Sequence, residues 1–261
     1  MQRSANLSFK VKIHEAAKSK DSRIILALDL PFEAAGNRDK ILAKAEKILK
    51  AVHPYVCAVK INHHLTLPLG TFDGVHQLVE QIHGYSLLAI MDAKVNDIGN
   101  TNQIIAEYYF AAGFDAIIAN PFVGWDEGLK PLFDVSKRLN RGVILLTYMS
   151  HTGANEGYGQ TVIDPETGQQ TPQYISFARK ALKWGADGAV VGATVPAKIV
   201  EIKQLLGEKV DIYSPGVGAQ GGAAETAIKA GSSFLIVGRE ITSSDNPAYA
   251  ARALHDSIKG T

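Results

Sequence analysis

A (β/α)8 barrel is the fold that the sequence predicts, and three observations predict it. Eight short apolar runs recur along the 261 residues. Most successive runs start 22 to 32 residues apart, with helix-like patterns between them. The runs are nearly continuous in hydrophobicity rather than alternating, as strands buried on both faces of a parallel sheet are. Strand then helix, eight times in one chain, closes most simply as a one-domain barrel.

Residues 1–20 read as an amphipathic lead-in that packs on the lower end of the barrel, and residues 21–261 as the barrel itself. The runs are "IILALD" (24–29), "VCAVKI" (56–61), "LLAIMD" (87–92), "DAIIAN" (115–120), "GVILLT" (142–147), "GAVVG" (188–192), "VDIYS" (210–214) and "FLIVG" (234–238). Residues 33–52 predict the first crossover helix. Ile41, Ala45, Ile48, Leu49 and Val52 recur there at helical spacing. Residues 72–84 and 101–114 behave alike, and 225–234 carries a glycine after its last turn, as helix ends often do. The widest gap between runs holds residues 150–174, rich in Gly, Gln and Thr. That length exceeds the usual connection and predicts a lid, a binding loop or a disordered segment.

The 27 basic and 26 acidic residues leave a net charge of +1. Neither nucleic acid nor an anionic membrane is then expected as a partner. Any anion must be held by a local cluster. Cys57 is the only cysteine, which excludes an intrachain disulfide and a thiolate metal cage. No apolar run reaches membrane-spanning length, and the first residues lack a signal-peptide core. A cytosolic protein is the expectation.

In such a barrel the active site lies at the C-terminal ends of the strands. Polar groups there become the candidates: Asp29, Lys60, Asp92 with Lys94, Asn120, Ser150, then "SPGVGAQGG" (214–222) and "GRE" (238–240). Acids and lysines are rarely buried unless paired, so two of each converging on one mouth should pair. On an extended backbone Asp92 and Lys94 face the same side. The alternation keeps the lysines charged and can present an ammonium proton at a fixed point. The bland alternative is a structural ring of ion pairs. Four glycines in "PGVGAQGG" leave N–H groups open to an anion, and Arg239 suits bidentate contact with phosphate. The bland alternative is a tight turn beside a surface arginine. The adjacent His63 and His64 point apart on a strand and make a poor metal pair.

The stretch "DAKVNDIGNT" (92–101) is similar to the Asp-x-Lys-x-x-Asp signature of the orotidine 5′-phosphate decarboxylases. "LALD" (26–29), "VKIN" (59–62), "TYMSHTG" (147–153), "SPGVGAQGG" and "VGREI" (237–241) extend the resemblance along the chain, which has the short, archaeal-like form. Ala93 and Tyr148 depart from the usual residues. The resemblance implies decarboxylation of orotidine 5′-monophosphate to UMP, with no cofactor or metal. It implies Lys94 as proton donor to C6 and Asp92 beside the scissile carboxylate. Asp29 and Lys60 would hold the ribose, and Ser150 the pyrimidine. Gln220 and Arg239, with backbone around Pro215, Gly216, Val217 and Gly238, would hold the phosphate. Asp97, Ile98 and Thr101 would reach the partner's site across a homodimer interface. The nearest rival is a Mg-dependent sugar-phosphate decarboxylase or synthase of the same superfamily, which carries an acid where Lys60 stands. A non-catalytic nucleotide-phosphate-binding barrel is the other.

Overall fold

The computed structural model describes residues 7–32, 37–164, 167–218 and 220–260. Eight parallel strands close into a barrel: β1 (Ile24–Ala27), β2 (Ala58–Ile61), β3 (Leu88–Val95), β4 (Ala116–Ala119), β5 (Gly142–Tyr148), β8 (Gly188–Val191), β9 (Asp211–Pro215) and β10 (Phe234–Val237). β10 pairs with β1 and seals the ring. The predicted barrel is thus the observed one.

The continuous apolar runs follow from two cores. Ile24, Leu26, Val143, Leu145, Leu235 and Val237 pack outward under the helices. Their alternate neighbours Ile25, Ala27, Ile144, Leu146, Phe234 and Ile236 pack inside the barrel. Period-two alternation persists, but both faces are dry, so it is invisible in the composition.

The helix over α2 (Arg38–Val52) buries the five residues its periodicity selected. Its predicted start at residues 33–36 lies outside the described residues. Truncating a buried residue such as Leu49 to Ala costs about 2–5 kcal/mol. The second predicted helix is α4 (Val75–Gly84), reached through α3 (His63–Leu69) and a wide irregular turn at Gly70–Gly74. The third is α5 (Gly99–Ala111). The lead-in forms α1 (Phe9–Lys20), N-capped by Ser8, whose hydroxyl accepts the Val11 N–H. Phe9 and Ile13 enter the inner core at the N-terminal end of the barrel, beside Tyr213 and Phe234.

The long stretch 150–174 is built, not featureless. It contains α7 (Ala154–Tyr158) and a two-stranded antiparallel hairpin, β6 (Thr161–Ile163) with β7 (Gln170–Pro172). α8 (Gln173–Trp184) starts before the stretch ends. The anchors are remote in sequence: the buried carboxylate of Asp164 pairs with Arg179 at 2.9 Å, and Tyr148 packs against Tyr158 and Tyr174.

Candidate active site

A cavity of about 240 Å³ opens at the C-terminal ends of the strands. Its inner wall is the top layer of the inner core: Ala27, Ile118, Leu146, Val190 and Ile236. Asp29, Lys60, Asp92, Lys94, Ser150, Pro215, Gly216, Val217, Gln220, Gly238 and Arg239 all line it. Every one of these had been selected from the sequence. Asn62 and Met149 also line it and had not been selected.

The charges alternate in space. Lys60 Nζ lies 3.3 Å from Asp29 Oδ1 and 2.9 Å from Asp92 Oδ2, and Lys94 Nζ lies 2.7 Å from Asp92 Oδ1. Burial would push the Lys60 ammonium toward neutrality, but the carboxylates of Asp92 and Asp29 outweigh it and raise its pKa. Burial likewise opposes ionisation of Asp92, and Lys60 and Lys94 overcome it, lowering its pKa. Both groups are nine-tenths hidden from solvent and both stay charged.

The backbone that aims Lys94 differs from the extended one expected. Met91 pairs with Ile117 and Val95 with Ala119, so β3 takes four residue steps where β4 takes two. The surplus is a bulge, and Lys94 adopts a left-handed conformation, φ 50°. A non-glycine residue there is strained by about 1 kcal/mol or more. The bulge turns both Asp92 and Lys94 into the cavity without a regular strand.

Ser150 is held from two sides. Its hydroxyl donates to Gln220 Oε1 at 2.7 Å, which links the β5 and β9 loops. Its backbone carbonyl accepts from Thr194 Oγ1 at 3.1 Å. Gly216, at φ 93°, passes so close that a Cβ there would lie 2.8 Å from Ser150 Cβ. Arg239 opens the short helix α11 (Arg239–Thr242) and is exposed; among the described residues its guanidinium has no hydrogen-bond partner.

Asp97, Ile98 and Thr101 do not line this cavity. Asp97 and Ile98 are exposed, Ile98 by 65%. Asn102, fully buried in α5, holds their turn: it accepts the Asp97 N–H at 3.1 Å and donates to the carbonyls of Asp97 and Gly128. Asn102 had been missed; an amide on the buried face of a helix was the available signal. Asn120 also lies outside the cavity, its side chain accepting the Phe122 N–H. Among the described residues no cluster of three or more His, Cys, Asp or Glu could hold a metal.

Fold and cavity together define a class: one-domain barrels with an alternating Lys–Asp array at the mouth, next to a glycine-rich loop and an arginine. The sequence profile of the "Orotidine 5′-phosphate decarboxylase / HUMPS family" matches residues 22–254, and the chain belongs to that family. It is 36% identical over 239 residues to the orotidine 5′-phosphate decarboxylase of Methanococcoides burtonii, covering 92% of this chain and 98% of that one. Identity to the Pyrococcus horikoshii decarboxylase is 37% over 237 residues, covering 91% and 99%. The crystal structure of the Methanocaldococcus jannaschii decarboxylase with the inhibitor BMP superposes with a TM-score of 0.74 at 31% identity, covering 91% and 99%. No helix among the described residues is long and apolar enough to cross a membrane.

Proposed function

We propose that this protein decarboxylates orotidine 5′-monophosphate to UMP and CO2, the last step of de novo pyrimidine synthesis. The observation that carries the reading is the Asp29–Lys60–Asp92–Lys94 array facing a cavity whose adjoining loops bring Gln220 and Arg239. In this reading Arg239, Gln220 and the backbone of Pro215, Gly216, Val217 and Gly238 take the phosphate. Asp29 and Lys60 take the ribose, and Ser150 the pyrimidine.

The bond from C6 to its carboxylate breaks, CO2 leaves, and the electron pair stays on C6. That anion has no obvious electron sink in the ring. The Lys94 ammonium, held by Asp92, stabilises it as it forms and transfers a proton to C6. Lys94 then regains a proton from solvent. Fixed charge in a partly dry site acts more strongly than the same charge in water. Asp92 faces the departing carboxylate and holds the lysine that protonates C6.

The active unit in this reading is a homodimer. An apolar face supports it: Phe72, Ile98, Ile104 and Tyr108 are exposed, and Phe72 and Tyr108 touch edge to face. Asp97, Ile98 and Thr101 reach the partner's cavity from there, and they do not line the active-site cavity of their own chain. The single buried thiol fits a reducing, cytosolic location.

The rival inside the family is a Mg-dependent sugar-phosphate enzyme. A divalent cation at the second strand end would meet the Lys60 ammonium, already seated between Asp29 and Asp92. The test is direct: orotidine 5′-monophosphate loses its ultraviolet absorbance in the presence of EDTA, at a specific activity that drops on dilution below the dimer's dissociation constant. Activity abolished by EDTA and restored by Mg²⁺ rejects the reading, and undiminished activity of a monomer rejects the shared site.

A further inference from the structure

Asn102 is fully buried on α5, and both polar groups of its side chain are committed. Its Oδ1 accepts the Asp97 N–H at 3.1 Å. Its NH2 group donates to the Asp97 carbonyl and, at 2.9 Å, to the carbonyl of Gly128. One donor on the oxygen and two acceptors on the nitrogen decide the amide's orientation. Asparagine is a poor helix former, and an amide is costly to bury unless it is bonded. Neither helix formation nor packing accounts for it there. What it achieves is a grip on one residue, Asp97, at both its N–H and its C=O.

The grip is braced. Asn96 Oδ1 accepts the Val123 N–H at 3.2 Å. Gly99 presses on the turn Trp125–Leu129 so closely that a Cβ there would lie 3.0 Å from the Glu127 carbonyl oxygen. Asp97 Oδ1 accepts the Ile98 N–H at 2.7 Å, which sets the direction of the side chain. Yet this exposed carboxylate lines no part of its own chain's active-site cavity and meets no cation among the described residues. We propose that Asn102 is a positioning residue acting in trans, setting the Asp97 carboxylate for the partner subunit's active site. This rests on the homodimer reading above.

Misplacing a reacting group by about 1 Å costs on the order of 100-fold in rate, so Asn102→Ala should lower kcat for orotidine 5′-monophosphate by roughly 10–100-fold. Unchanged kcat overturns the proposal. Doubly tagged heterodimers of Asn102→Ala and Lys94→Ala subunits, assayed well above the dimer's dissociation constant, show in which subunit the effect falls. One of their two cavities combines Lys94 of the first subunit with a well-held Asp97 from the second, so they should regain about half the wild-type kcat per dimer. A heterodimer no more active than the two homodimers confines Asn102 to its own chain and overturns the proposal. Asn102→Asp keeps the size and the acceptor but loses both donors, and it takes the place of Asn102→Ala if that variant does not fold. Heterodimers of Asp97→Ala and Lys94→Ala subunits test the homodimer reading separately. Recovery by these alone rejects Asn102 and keeps the shared site; recovery by neither pair rejects both. Recovery by the Asn102 pair alone shows that the group it positions is not Asp97, and the proposal falls.

Discussion

The two ends of this barrel both carry buried charge, and they use it differently. At the N-terminal end Asp115, Asp187 and Asp211 each stand at the start of a strand. Asp115 accepts the Ala89 N–H at 2.9 Å and pairs with His83 at 2.8 Å and Arg141 at 2.5 Å. Asp211 is met by His14 at 2.7 Å and by the Ser233 hydroxyl, and Asp187 accepts the Val143 N–H. These acids close onto backbone and neighbouring helices. At the C-terminal end the array faces a cavity, and among the described residues the Arg239 guanidinium and the Asn62 NH2 group have no partner. A charge at a strand end is therefore no mark of chemistry by itself. The mark is a charged array that surrounds space and retains unspent donors.

The sharpest way to break this contrast is one substitution at each end. Lys94→Ala should lower kcat for orotidine 5′-monophosphate by roughly 10³-fold or more while leaving the melting curve nearly in place. Asp115→Ala should do the opposite. It leaves His83 and Arg141 without their carboxylate and costs about 3 kcal/mol of stability, with kcat per folded molecule unchanged. Near-normal turnover in Lys94→Ala removes the lysine from the reaction. A large loss of kcat in folded Asp115→Ala shows the two ends to be coupled, and the contrast fails.

A smaller effect is expected of Arg239→Ala. Losing a charged contact to phosphate weakens binding by about 1.5–3 kcal/mol, or roughly 10–100-fold in affinity for UMP. Uridine, which lacks the phosphate, should bind wild type and variant alike. If the variant loses uridine as well, Arg239 supports the site's shape and not the phosphate.

The contrast also explains what the sequence disclosed. The barrel was legible because Ile24 and Leu26 serve one dry face and Ile25 and Ala27 the other, making runs too apolar for a half-exposed sheet. The mouth was legible because a rule for where chemistry sits in a barrel selects strand ends without coordinates. Three things were not. The left-handed turn at Lys94 depends on the register of β3 against β4, which no local pattern encodes. The hairpin β6–β7 has three-residue strands and rests on Asp164–Arg179 and Tyr148–Tyr174, pairs distant in sequence. Asn62 reads as an ordinary turn residue until its oxygen is seen to be occupied.

The least effect expected is one of pH, and it again separates the two ends. Lys60 has a raised pKa, so its stabilisation holds through neutral pH and is lost only as pH climbs beyond its ordinary 10.5. Asp92 has a lowered pKa, so its contribution persists until pH falls below its ordinary 3.8. The Lys60–Asp92 pair therefore keeps both its charges between those limits. At the other end burial pushes Asp187 up from 3.8 to about 6, although the N–H groups of Val143, Lys10 and Asp187 itself and the Lys10 charge oppose the rise. Between about pH 4 and 6 the folded chain therefore holds a proton that the unfolded chain releases. Its share of stability falls as pH rises through that window and is flat above it. Asp187→Asn should abolish this slope and add on the order of 1 kcal/mol at pH 7. Urea midpoints at pH 4, 5, 6 and 7 measure it, and an unchanged slope in the variant would assign the titration to another group.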